Sequence, residues 1–235
     1  MVIDTIQSTI LIALIAALLA NTALAFKQLK SIRIDNSTTP IAMTSMGFIF
    51  SLAIMTALGN FDRVIAERAE NPILFSNYVH YSMILIMPFN MIASYIGFKE
   101  ATAFKLNFSR KLLFRKASSC TAKISAAFLA AILIIIPTSE LIELELSFSA
   151  VAATYLLIAT KCFYSLLSAA MGARGSAKEI WISNIVSVIL LSVIFAAYSK
   201  IFKIESIESI LWLFTLLWIS RSASYSIILA KIKDD

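Results

Sequence analysis

Seven long apolar stretches dominate this chain: Ile6–Phe26, Ile41–Leu58, Ile73–Phe98, Cys120–Pro137, Phe148–Met171, Ile180–Ser199 and Ile207–Ala230. A helix needs about 20 mostly apolar residues to cross the hydrocarbon core of a bilayer, so each stretch is a candidate span. Runs such as Leu11–Leu19 and Ala126–Ile136 are apolar on every face. That is the pattern of a lipid-embedded helix and not the strict alternation of a barrel strand. The expected fold is therefore all-α, a polytopic membrane helix bundle of about seven transmembrane helices. The fourth stretch is the shortest, with an uncharged core of only Ile124–Pro137. The first is too long, and lacks the early basic region, for a cleaved signal peptide.

Composition points the same way. Of 235 residues, 60% are hydrophobic and 14% charged, against about 45–50% and about 25% in soluble domains. Disorder requires the opposite balance. One histidine and two cysteines, Cys120 and Cys162, form no metal-ligand spacing. No metal site and no cofactor are expected. No acid pair, Ser-His pair or metal cluster marks an enzyme, and the chain reads as a non-enzyme.

The net charge of +6 would suggest nucleic acid in a soluble chain. Here it follows the loops, and no nucleic-acid partner is expected. Fourteen Lys and Arg lie in 27–40, 99–123, 172–179 and the tail; four lie in the alternate connections, at Arg63, Arg68, Lys200 and Lys203. The positive-inside rule assigns the richer set to the cytoplasm. The amino terminus is then outside and the carboxyl terminus inside. The loop 99–123, with seven basic residues, reads as a solvated stretch beside anionic lipid headgroups.

Two of the twenty basic residues remain, Lys161 and Arg221, each at mid-span. Ionisable groups at that depth are costly and usually face a cavity or a partner. Thr154, Tyr164, Ser165 and Ser168 fall at i−7, i+3, i+4 and i+7 from Lys161, on one helix face. Arg221 has Trp218, Ser224 and Tyr225 close by in sequence. Both cations lie about 15 Å from the same membrane boundary. They would repel unless an anion lies between them or they point apart. In the third stretch Asn77, Tyr81, Pro88 and Tyr95 share an arc with His80 beside it, and Pro88 should kink the helix. If the second stretch continues to Ile65, Asp62 and Arg63 lie near its outer end. His80 also suits a headgroup-level anchor, and Asp62–Arg63 a helix-end charge pair. A cationic interior without a central acid suits an anionic cargo such as a phosphate or pyrophosphate group.

Several stretches resemble the second lobe of polysaccharide flippases. Leu58–Ala66, with Asp62-Arg63, resembles its opening helix, and Tyr78-Val79-His80-Tyr81 through Pro88-Phe89 the next one. Thr138–Leu144 resembles the outer loop after its third helix. Leu166–Lys178, with Gly172-Ala173-Arg174-Gly175, resembles the turn between its fourth and fifth helices, and Asn184–Lys231 its closing pair. The family is the O-antigen or polysaccharide flippases (Wzx type) of the multidrug/oligosaccharidyl-lipid/polysaccharide exporter superfamily, and the resemblance covers roughly residues 41–235.

The resemblance implies a six-helix lobe over 41–235, preceded by one helix and a basic cytoplasmic linker over 1–40. It implies a partner for that lobe, either a missing amino-terminal lobe or a second copy. It also implies a bacterial inner-membrane transporter that flips undecaprenyl-pyrophosphate-linked oligosaccharide for surface polysaccharide assembly. Lys161, Arg221 and Arg63 would hold the anionic headgroup, with Asp62, Asn77, His80, Tyr81, Thr154, Tyr164, Ser165, Ser168 and Tyr225 lining the cavity. Two alternatives stay open: a cation-coupled drug exporter of the same superfamily, which needs a buried acid, and a seven-helix receptor or sensor.

Overall fold

The computed structural model describes residues 39–69, 72–142, 144 and 146–232. Six helices in this part are long and apolar enough to cross a membrane. The seventh expected span, at 6–26, and the linker at 27–40 lie outside the described residues except at the start of the first helix. Helix α1 is Thr39–Arg68. Helix α2 has three parts: Pro72–Tyr81, a π-helical turn Ser82–Ile86, and Met87–Leu106. Helix α3 is Arg110–Ile135, closed by a 3-10 turn Ile136–Thr138. Helices α4 (Phe148–Arg174), α5 (Ala177–Ile201) and α6 (Ile207–Leu229) follow.

The helices alternate in direction. At one end, here called distal, Tyr78 of α2 meets Asp62 of α1, and Ser147 before α4 meets Glu208 of α6. At the opposite, basic end, the Arg110 side chain donates to the Ala230 carbonyl and that of Arg174 to the Phe104 carbonyl. Helix α4 packs on α2, α3 and α6. Helix α6 is the most enclosed, with Leu211, Leu213, Phe214, Leu217, Trp218 and Tyr225 among its buried side chains. Its buried Thr215, Ser220, Ser222 and Ser224 are the small polar residues that let helices approach closely in lipid.

Three local features follow from sequence. Pro88 has no N–H and its ring clashes with the carbonyl four residues back. The helix answers with the π turn just before it, in which the Met87 N–H reaches the Ser82 carbonyl. The expected kink is thus a change of register. A π turn rotates everything after it, so Tyr95, expected on one arc with Tyr81, is 66% exposed while Tyr81 is buried. Gly97 lies where α2 meets α4. A Cβ there would stand 2.9 Å from the Ser165 carbonyl oxygen, and the Ser165 hydroxyl donates to the Ala93 carbonyl one turn away at 2.7 Å. Ser176 caps α5 in a reciprocal box with Glu179, which fixes the short turn after α4.

The expected long basic loop at 99–123 is corrected. Residues through Leu106 belong to α2 and those from Arg110 to α3, which leaves only a short connection. Lys, Arg and Glu are good helix formers, and buried Phe104, Phe108, Leu113 and Ala117 anchor the charged ends. Lys116 pairs with Glu100 and lies over the Phe104 ring. The basic residues therefore ride on helix ends, and the weak fourth span becomes a full-length helix.

Candidate functional site

The two mid-span cations come together against the aromatic side chains of α4 and α6. Lys161 is half-buried, with Nζ 5.1 Å from the Trp218 ring. Trp218 packs edge-on against Tyr164, ring centroids 5.3 Å apart. Tyr164 packs edge-on against Tyr225 at 5.1 Å. The Arg221 guanidinium lies 5.2 Å from the Tyr164 ring and 5.1 Å from the Tyr225 ring. Each cation thus gains the negative face of an aromatic ring, and the rings stand between them. The repulsion expected at matched depth is relieved in this way.

Arg221 is fully enclosed, at 0% exposure. Its Nε donates to the Tyr164 hydroxyl at 3.0 Å, and its Nη2 to the Ser51 hydroxyl at 3.1 Å and the Tyr225 hydroxyl at 3.4 Å. A directed chain runs on from there. Ser51 pairs with Tyr225 at 2.9 Å, Tyr225 donates to Asn184 Oδ1 at 3.1 Å, and Asn184 Nδ2 donates to the Gly47 carbonyl at 3.0 Å. One guanidinium therefore ties together α1, α4, α5 and α6. The approach is tight: a Cβ at Gly47 would stand 3.0 Å from Ile180 of α5. All the side-chain acceptors are neutral hydroxyls or an amide. Among the described residues no carboxylate lies within ion-pair distance of Arg221 or Lys161.

A second cluster lies towards the distal end. The Tyr78 hydroxyl donates to Asp62 Oδ2 at 2.5 Å, and the Arg63 backbone N–H donates to Asp62 Oδ1 at 2.9 Å. The helix α1 does run past Ile65, and it places this pair one to two turns from its end. Tyr81 bonds Thr154 at 2.9 Å, and Thr154 donates to its own helix at Ala150. The charges of Asp62 and Arg63 both act on Lys161.

The other candidate residues divide by neighbour. The polar stripe around Lys161 serves two seams: Thr154 and Ser165 turn to α2, while Tyr164 faces α6 and Ser168, four residues further along α4, is half-buried. Ser165 is thus engaged in helix packing. His80 is exposed and donates through Nε2 to the Ile142 carbonyl at 2.8 Å, pinning α2 to the connection after α3. Asn77 lines a separate cavity of about 540 Å³ at the distal end, with Leu146, Ser147, Ala150, Ser206 and Glu208.

Sequence reading missed Tyr78, Ser51, Asn184 and Ser187 as site residues. Ser183, Asn184 and Ser187 are buried polar residues within one turn of each other in the mostly apolar middle of α5, and Ser187 pairs with Ser224 at 2.7 Å. That interruption was a usable signal. Ser51 carried none, since a single serine in an apolar helix has many uses. Among the described residues no group of three or more His, Cys, Asp or Glu could hold a metal ion.

The fold places the chain among helical bundles with the dimensions of membrane proteins. Comparison with protein-family models, curated protein sequences and solved structures finds no match.

Proposed function

We propose that this chain is a membrane transporter, or one half of one, that moves an anionic lipid-linked oligosaccharide between leaflets. In full, the reading is a bacterial inner-membrane flippase for an undecaprenyl-pyrophosphate glycan, with the amino terminus periplasmic and the carboxyl terminus cytoplasmic. A second lobe or a second copy of the chain completes it, and membrane lipids surround it. The observation that carries the reading is Lys161: a half-buried mid-span cation on an indole face, with no carboxylate among the described residues in pairing distance. Such a group attracts a negative headgroup in a low-dielectric setting. Arg63 supports the charge from the distal side. Arg221 sits behind the aromatic wall, and movement of α1 against α6 would bring it into play as the carrier alternates.

The test is flipping in reconstituted vesicles containing labelled undecaprenyl-pyrophosphate glycan, read by an external glycan-modifying enzyme. Lys161→Ala should slow leaflet exchange at least tenfold while inserting normally. Exchange at the wild-type rate would overturn the assignment. The Asp62–Tyr78 pair favours the cation-coupled exporter as a second reading. There Asp62→Asn would abolish coupled export while Lys161→Ala would spare it.

A further inference from the structure

The cavity at the distal end is built where three helices begin. Leu74 and Asn77 come from the first two turns of α2, Ala150 from the start of α4, and Ile207 and Glu208 from the start of α6, with Glu205 just before it. About half a positive charge stands at each helix start, so the three together offset most of the charge of Glu205 and Glu208. Lys203 also lies 3.7 Å from Glu205. The cavity is therefore polar without a strong net charge. Its volume of about 540 Å³ lies in the range of small-molecule sites, about 300–1,000 Å³. The cap hydroxyls around it are already committed. Ser147 accepts from the Ala150 N–H and donates to Glu208, and Ser206 accepts from the Ser209 N–H. Two kinds of group are left over. One is the exposed Asn77 amide, which has no hydrogen-bond partner among the described residues. The other is the pair of carboxylates, each of which accepts at about four positions.

We infer that this cavity binds a sugar residue. Such a ring is neutral; its hydroxyls donate to Glu205 and Glu208 and accept from the Asn77 amide, and its C–H face meets Leu74, Leu146 and Ile207. A cation would meet the same carboxylates but also the three helix starts, which repel it. An anion would meet the carboxylates. An apolar ligand would take Glu208 and Asn77 out of water without replacing their hydrogen bonds. Ala150, on the cavity wall, and Lys161 are about 16 Å apart along α4 at 1.5 Å per residue, so the sugar site is distinct from the headgroup site. Only the source of the sugar rests on the transport reading: there it is part of the carried glycan, whereas a free saccharide offers the same chemistry.

The test uses the full chain in lipid nanodiscs, which avoid sugar-headed detergents. Saturation-transfer NMR is recorded with maltose, lactose and N,N′-diacetylchitobiose, and with spermidine as the cationic control. Saturation should pass to the ring protons of at least one saccharide. Glu208→Gln should weaken that binding about tenfold or more, and Asn77→Ala about fivefold. Asn77 is exposed and holds no other element in place, so its variant decides the matter if Glu208→Gln does not fold. No transfer to any of the three saccharides overturns the site, as does binding unchanged in Asn77→Ala. Displacement of the saccharide by spermidine overturns it in favour of a cation site. Leaflet exchange of the lipid-linked glycan then separates the two sources: slowing in Asn77→Ala assigns the sugar to the cargo, and a wild-type rate assigns it to a free saccharide. Saccharide binding is read without the pyrophosphate lipid, so it can fail while the Lys161→Ala transport test succeeds, and the reverse.

Discussion

Lys161 and Arg221 use opposite ends of one aromatic stack: Nζ lies 5.1 Å from the Trp218 ring, and the guanidinium 5.2 Å from the Tyr164 ring that packs edge-on against it. The stack therefore keeps two like charges apart while stabilising both. Trp218→Leu removes the indole face and should cost about 2–4 kcal/mol, combining lost packing with about 0.5–2 kcal/mol of cation–π attraction. Lys161→Met in that background should recover part of the loss. Unfolding midpoints of the two single variants and the double variant check this, and strict additivity would rule out the coupling.

The relay from Arg221 through Ser51 and Tyr225 to Asn184 makes α1 dependent on one guanidinium. Tyr225→Phe removes the hydroxyl that joins Ser51 to Asn184. It leaves a buried acceptor and part of a buried cation unpaired, which should cost about 1–3 kcal/mol. Asn184→Ala should cost a similar amount. Because both act on one chain of bonds, the double variant should lose less than the sum. Denaturant unfolding of all three variants in micelles is the measurement.

Gly97 sets the distance between α2 and α4. With the Ser165 carbonyl 2.9 Å from where a Cβ would be, any side chain must push the backbones apart. Gly97→Val should prevent a folded species from forming, as judged by a monodisperse size-exclusion peak. Ser165→Ala removes only the bond to Ala93 and should cost about 0.6 kcal/mol.

The sequence was most informative where composition dictates structure. Apolar runs located all six described spans, because lipid contact tolerates few polar groups. The ends of the helices were less legible. Charged Lys105, Arg110, Lys111 and Arg115 read as loop by hydropathy, yet buried Phe104 and Leu113 alongside them hold helix. The shared arc of Tyr81 and Tyr95 failed for another reason: the π turn before Pro88 adds a rotation that a fixed 3.6-residue period does not include. Lys161 and Arg221 were visible as isolated charges. Tyr164, Trp218 and Tyr225 beside them were visible too, but the Ser51 partner was not, since Ser51 and Tyr225 are 174 positions apart and only tertiary packing joins them.

Asp62 separates the two transport readings. Its carboxylate accepts from Tyr78 and from the Arg63 backbone, and its charge also acts on Lys161. Asp62→Asn keeps the shape and the capacity to accept from Tyr78 while removing the negative charge. If Lys161 receives an anionic headgroup, that change leaves the cation less neutralised. Affinity for the pyrophosphate lipid should then rise two- to tenfold, by about 0.4–1.4 kcal/mol of relieved competition. Tyr78→Phe should leave affinity within twofold, because it keeps the charge. Titration of a fluorescent lipid pyrophosphate into vesicles carrying each variant measures the difference. A weaker affinity in Asp62→Asn would place the acid on the side of cargo or ion recognition and would favour the cation-coupled reading.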